Sequence, residues 1–244
     1  MQKVGTSVHR NQEFSHKFDK SEILKQKIEN VDPVIFDIGA YQGQSVELFI
    51  EIFSNPVVYS FEPSLKTFKE LKRKKYKNNR CYNLAVSNVN GQTVFYENEI
   101  SHTNSLYKVN KKSNDSISIM KETACGGEKH KAVVNSAIKV NTITLDEFFI
   151  SNKLSEIDIL KIDVQGAESL VLEGAREIFL KNTKAIMVEI ALYDYYENSS
   201  NISDIESQIL PFGFHLYSIL DVSHNPMNGR TDWVELFYTK DNNL

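Results

Sequence analysis

Hydrophobic positions along this chain follow two rhythms that alternate. Short apolar runs at Val34-Ile-Phe-Asp-Ile38, Val57-Val-Tyr-Ser-Phe61, Ile157-Asp-Ile-Leu-Lys-Ile162 and Ala185-Ile-Met-Val-Glu-Ile-Ala-Leu192 have the length and β-branched content of strands buried on both faces of a parallel sheet. Between them the apolar spacing widens to that of a helix face. Val46, Phe49, Ile50 and Phe53 form one such stripe, and Leu65, Phe68 and Leu71 form another, opposite Lys66, Lys69, Lys72, Arg73, Lys74, Lys75 and Lys77. Ser21 is placed to cap an earlier helix carrying Ile23, Leu24 and Ile28, which ends near Asp32-Pro33. Thr144 and Glu147 have capping-box spacing before Leu145-Asp-Glu-Phe-Phe149, and Leu170, Val171, Leu172 and Ala175 mark a helix after Asp163. The alternation predicts a Rossmann-like α/β domain.

The rest of the pattern is less regular. Arg80 to Ser87 reads as a third strand and its loop, Asn90-Gly91 as a turn, and Thr93 to Tyr96 and Ile138 to Ile143 as further strands. Ser203 to Leu210 is helical, and Phe214 to Leu220 and Asp232 to Tyr238 are strands joined without a helix, which implies an antiparallel edge. Residues 1–31 are expected to be a polar tail and a helix packing on or capping the domain; 32–244 form one domain with an irregular insertion at about 98–136, read as a cap or substrate loop.

Composition narrows the function classes. With 41% hydrophobic and 25% charged residues in 244, the chain has the make-up of a soluble globular protein. A net charge of -4 disfavours binding to a phosphate backbone, and the lysine-rich helix face lacks the aromatic interleaving of a base-stacking surface. Cys81 and Cys125 stand far apart and outside any C-x-x-C pair, so neither a disulfide framework nor a structural zinc is indicated. No stretch approaches the length of a membrane span, and the first residues lack a signal-peptide core, so a cytoplasmic protein is expected.

The candidate chemistry lies at the strand ends. After the first strand, Gly39 and Gly43 flank Ala40-Tyr41-Gln42, and this D-x-G-x-x-x-G pattern lacks the third glycine of a pyrophosphate cradle. It suits S-adenosylmethionine (SAM), with Asp37 orienting the loop or accepting from the ligand's ammonium and Gly39, Ala40, Tyr41 and Gly43 approaching the ligand. The second strand ends at Glu62-Pro63, near the offset of about 20 residues at which an acid meets ribose hydroxyls. Glu62 is expected to chelate two of them, and backbone at Ala85 and Val86 to meet the adenine edge. Ser64 is placed to cap the next helix.

A second strand-turn-helix passage supplies acids. Asp163 ends its strand at the ligand-binding edge of the sheet. Lys161 is expected to face away from it. Glu168 sits in the first turn of the following helix, where the dipole also favours a carboxylate, and Glu189 interrupts an apolar run, where a buried acid needs a partner or a job. Asp163, Glu189 and Glu168 are the candidate catalytic acids, and Asp163 a candidate cofactor contact. His102 in Ser101-His-Thr-Asn-Ser-Leu106 is a further candidate base, Tyr193, Tyr195 and Tyr196 could line a pocket, and His9, His16 and His224 read better as ordinary surface or turn residues. Mg²⁺ on the acids is conceivable, though three acids separated in sequence do not specify a metal. A degenerate NAD-binding oxidoreductase and a non-catalytic module that has kept the fold stay open as other classes.

Four ordered blocks resemble the FkbM family of SAM-dependent methyltransferases: Phe36-Asp-Ile-Gly-Ala-Tyr-Gln-Gly43; Ser60-Phe-Glu-Pro63; Thr144-Leu-Asp-Glu-Phe148; and Ile159-Leu-Lys-Ile-Asp-Val-Gln-Gly-Ala-Glu168 with Val171-Leu-Glu-Gly-Ala175. The similarity runs from about Val34 to Ile190, and members usually carry Glu where this chain has Gln165. The resemblance implies a class I methyltransferase fold, a seven-stranded mostly parallel sheet whose last strand is antiparallel, with helices on both faces. It also implies O-methylation of a hydroxyl on a sugar, glycan, polyketide or related small-molecule acceptor.

Overall fold

The computed structural model describes residues 19–113, 136–225 and 228–240. His9, His16, Cys125 and the greater part of the irregular insertion lie outside them. In chain order the elements are α1 (Lys20–Lys27), β1 (Val34–Ile38), α2 (Gln44–Ile52), β2 (Val57–Phe61), α3 (Leu65–Arg73), β3 (Asn79–Tyr82), β4 (Ala85–Val86) and β5 (Gly91–Glu97). They continue as β6 (Ser136–Ile143), α4 (Leu145–Ser151), β7 (Ile157–Ile162), α5 (Glu168–Glu173), β8 (Thr183–Ala191), α6 (Ile202–Ile209), β9 (His215–His224) and β10 (Thr231–Thr239).

Seven strands form one sheet in the order β3-β2-β1-β7-β8-β10-β9. All neighbours are parallel except β10, which runs antiparallel to both β8 and β9. This is the class I methyltransferase arrangement, and the chain reverses direction across the sheet beside β1, where open α/β sheets bind ligands. A smaller sheet, β4-β6-β5, lies beside the strand-end edge.

Alternation along the strands divides the core. Phe36, Ile38, Tyr59, Phe61, Leu160 and Ile186 face α4, α5 and α6, where Phe36 stacks on Tyr59 at 4.8 Å and meets Phe148 edge-on at 5.7 Å. Ile35, Val58, Ile159, Met187 and Phe237 face α1 and α2 on the other side, against Ile23, Leu24, Val46 and Phe49. Five of the strand ends carry this second face outward to polar residues, and the site is built there.

Several local expectations are corrected. Asp19, not Ser21, caps α1, accepting from the Glu22 N–H at 2.9 Å. Ile50 is exposed on α2 and Ile52 is buried in its place, while on α3 Leu65 is exposed and Thr67 joins Leu71 inside. Thr144 accepts from the Glu147 N–H at 3.2 Å, but Glu147 turns to Ser151 rather than closing the box. Ser64 holds the cap position of α3 with its hydroxyl donated to Glu97 at 2.6 Å. The antiparallel edge expected of the last two strands is present: β9 and β10 pair antiparallel at the end of the sheet, with β10 on the inner side against β8, where Val234, Leu236 and Tyr238 reach the main core.

Candidate functional site

The turn after β1 is pinned between two neighbouring strands. The N–H groups of Gly39 and Ala40 both donate to the Phe61 carbonyl at 3.0 Å, and the Asp163 N–H donates to the Ile38 carbonyl at 2.9 Å. Gly39 adopts φ 85°, and a Cβ there would fall 1.8 Å from the Asp163 carbonyl oxygen. Glycine is therefore demanded twice, by the left-handed backbone and by the approach of the β7 end. Tyr41, also left-handed at φ 45°, aims its N–H at Glu62 Oε2, 3.0 Å away. The glycine turn and the acid before proline thus meet directly.

Glu62 is nearly saturated by its own chain. Its Oε1 accepts from the Ser64 N–H at 2.8 Å and the Thr67 hydroxyl at 2.7 Å, and its Oε2 from Tyr41. A carboxylate offers about four acceptor positions, so one remains, on Oε2. For the expected contact with ribose hydroxyls, Glu62 thus has one acceptor position that its own chain leaves open. Burial pushes Glu62 up to about 7 despite these donors.

A cavity of about 440 Å³ opens between the strand ends. It is lined by Glu62 and Pro63 after β2, Gly39, Ala40 and Tyr41 after β1, Asp163 and Gln165 after β7, and Glu189 of β8 with Trp233 of β10, while Ala85, Val86, Ser101, His102, Asn104 and Leu106 complete the wall. The Tyr41 and Ser101 hydroxyls lie 2.7 Å apart, joining the turn to the described start of the insertion. The volume lies in the ordinary range for a small-molecule site.

Other expected residues are elsewhere. Gly43 does not reach the cavity; a Cβ on it would meet Leu71 and Tyr76 at 2.8 and 2.9 Å, so it serves helix packing. Glu168 is buried in the turn, its Oε1 accepting from the Gly166 N–H at 2.9 Å, and burial raises it to about 7. Tyr195 and Tyr196 pack on Val109 rather than lining the cavity. His224 belongs to β9, not a loop, beside Thr231. Asp37 is sealed under the turn, fully buried and outside the cavity lining, which leaves it no reach to a ligand's ammonium. Among the described residues neither of its oxygens is given a hydrogen-bond partner, and burial raises it to about 6 against the pull of Lys161.

The acids that do gather share the α1 and α2 face of the sheet. Lys161 and Asp163 lie on the same face, contrary to expectation, because residues two apart in a strand always do; Lys161 Nζ is 3.4 Å from Asp163 Oδ2. Register sets Lys161 opposite Asp37 and Glu235 opposite Glu189. Burial opposes the charge on Lys161, yet Asp163, Asp37, Glu235 and Glu189 hold its ammonium above the ordinary lysine range. Lys20, at the start of α1, pairs with Glu235. Above them Gln165, left-handed at φ 59°, donates its amide to Asp163 Oδ1 at 2.8 Å and to Glu189 Oε1 at 3.3 Å. Its own oxygen lies 3.0 Å from the Tyr196 hydroxyl, which also meets the Thr103 carbonyl. Burial and the adjoining Asp163 push Glu189 up to about 8. The roles of Glu235 and Trp233 were missed from sequence, although the period-two pattern of Trp233, Glu235 and Phe237 puts all three on one strand face.

Residues 37–216 match the model of the methyltransferase FkbM domain. The 2-O-methyltransferase NoeI of Sinorhizobium fredii is 28% identical over 172 residues, 70% of this chain and 68% of that protein. Among solved structures, a 1,6-didemethyltoxoflavin-N1-methyltransferase of Burkholderia thailandensis superposes with a TM-score of 0.45 at 10% identity, covering 97% of this chain and 84% of that one. A TehB-like SAM-dependent methyltransferase of Corynebacterium glutamicum gives 0.45 at 8% identity, with 96% of each chain covered. The match from the buried aspartate of β1 to the first residues of β9 takes in the pinned glycine turn, Glu62 and the Asp163–Gln165 passage, and on it the chain belongs to the FkbM family of SAM-dependent methyltransferases.

Proposed function

We propose that the chain transfers a methyl group from SAM to a hydroxyl of a sugar, glycan or related small molecule, with Glu189 and Asp163 receiving the hydroxyl proton. The observation that carries the reading is the convergence of these two carboxylates, under one amide donor, on the β7–β8 side of a cavity whose β2 side carries Glu62. The described residues suit the cofactor: Glu62 keeps one free acceptor position on one side, and the other side has carboxylates in excess of lysines, favourable to a positive sulfur. When bound, SAM supplies a methyl carbon carried on a sulfonium sulfur. An alcohol is a poor nucleophile at neutral pH, so the chain must orient its oxygen and remove its proton. Trp233 lines the same cavity as those acids, and an indole is a side chain on which the C–H face of a sugar ring can pack; a relative carries the name of a 2-O-methyltransferase. Among the described residues no three His, Cys, Asp or Glu side chains are grouped to hold a metal ion, and Mg²⁺ has no part in the proposal. No helix there is long and apolar enough to cross a membrane.

The test is transfer of labelled methyl from SAM to a panel of methyl glycosides and oligosaccharides. Glu189→Gln and Asp163→Asn should lower kcat by about 10²–10⁴, the usual worth of a positioned base, with SAM affinity changed only a few-fold. Unchanged kcat in both would remove these acids from the chemistry. Label appearing on amines but on none of the hydroxyl acceptors would overturn the O-methyl reading.

A further inference from the structure

Among the described residues, the carboxylates gathered in and behind the cavity wall at Asp163, Glu189, Glu235 and Asp37 outnumber the lysines paired with them, Lys161 and Lys20. Glu189 stands opposite Glu235 of β10 in register and shares the Gln165 amide with Asp163, which pairs with Lys161 of β7; Asp37 of β1 lies opposite Lys161, and Lys20 of α1 pairs with Glu235. Lys161, buried, is shared by four acids, and Gln165 contributes donors but no charge. Ionising Glu189 among these like charges is costly, and a further positive charge in the cavity or a proton on the carboxyl relieves that cost. SAM carries that charge on its sulfur, and its demethylated product, S-adenosylhomocysteine, does not.

We propose that Glu189 is a proton switch set by the charge of the cofactor, protonated in the free protein and ionised when a positive sulfur occupies the cavity. The inference rests on the SAM reading above and adds to it the moment at which the base is armed. The balance closes. An ionised Glu189, a neutral alcohol and a sulfonium give a protonated Glu189, a methyl ether and a neutral thioether, with the C–S electron pair going to sulfur and the O–H proton to the carboxylate. Glu189 therefore ends the turnover in the state it holds in the free protein, and the proton reaches solvent when the next SAM binds. A consequence is that the base is withheld whenever the methyl donor is absent.

The experiment is calorimetric titration of the full-length protein at pH 7 in buffers of different ionisation enthalpy, with SAM and with S-adenosylhomocysteine. A drop of about two units from a value near 8 releases roughly 0.8 proton per SAM, and S-adenosylhomocysteine should release almost none. Glu189→Gln should lose most of the SAM-linked release. Independently of any variant, the wild-type preference for SAM over S-adenosylhomocysteine should climb between pH 6 and 8, approaching tenfold per unit. Equal proton release by the two ligands, a preference flat in pH, or full release in Glu189→Gln would overturn the switch while leaving SAM binding intact. Absence of binding by either ligand would instead overturn the cofactor reading itself.

Discussion

Gly39→Ala should destabilise the protein by more than about 4 kcal/mol in urea unfolding, a loss reached only when a specific native contact is broken. Three glycines separate the causes. Gly213 has the same φ, 85°, but nothing within 4 Å of a built Cβ, so Gly213→Ala should cost only the left-handed penalty of about 1–2 kcal/mol. Gly174 has an ordinary φ of -78° but would place its Cβ 2.2 Å from the Ser87 carbonyl oxygen, isolating the steric effect. Gly39 carries both burdens, and its obstacle is the Asp163 carbonyl, backbone that cannot swing aside. Relief must part the β1 turn from the β7 end, dragging Tyr41 off Glu62 and the Asp163 N–H off the Ile38 carbonyl. SAM affinity should fall with stability. A Gly39→Ala protein no less stable than Gly213→Ala would show that the two strand ends are not clamped as described.

Lys161→Met should cost about 3–5 kcal/mol at pH 8, the usual result of leaving buried charges without their partner, and far less at pH 5. The sign follows from the protons. Lys161 is held above its ordinary value, so its own contribution is complete below the lysine range and is lost only as pH rises past its folded value; between pH 5 and 8 it is constant. The acids behave differently. Asp37, raised from 3.8 to about 6, and Glu189, raised from 4.5 to about 8, bind more protons folded than unfolded inside those windows, so stability falls as pH rises through them. Without Lys161 both folded values climb further and the windows widen upward, so wild type and variant should diverge with pH. Urea midpoints at pH 5 and pH 8 measure this. A penalty of equal size at both would mean that Lys161 acts through packing alone.

What could be read from the sequence was what neighbouring residues decide. The runs at Val34–Ile38 and Val57–Phe61, buried on both faces, with Gly39 and Glu62-Pro63 closing them, identify two adjacent parallel strands and the crevice between their ends. Asp163 follows by the same logic. The common face of Lys161 and Asp163 was also legible, since strand periodicity requires it. Other features depend on pairing between distant segments. Only once β10 lies against β8 does Glu235 come opposite Glu189 and Trp233 opposite Ala191 at the cavity edge, and no local pattern states that register. Gly43 and Glu168 misled for another reason: a glycine tight against helix side chains and a carboxylate supporting its own turn have the same residue types as a ligand contact and a base. Tyr196 has its ring in a small aromatic core and touches the site with its hydroxyl, at Gln165 and the Thr103 carbonyl.

Whether the crevice between the Gly39 turn and Glu62 holds an adenosyl sulfonium is decided most directly by titrating wild type and Glu62→Ala with SAM and with NAD⁺ up to millimolar concentration. The structure predicts saturable binding of one SAM by wild type, at least about tenfold weaker binding by a folded Glu62→Ala, the scale of one buried charge-assisted hydrogen bond, and no saturation by NAD⁺. Saturation by NAD⁺ in place of SAM, or a Glu62→Ala protein that binds SAM as tightly as wild type, would contradict it.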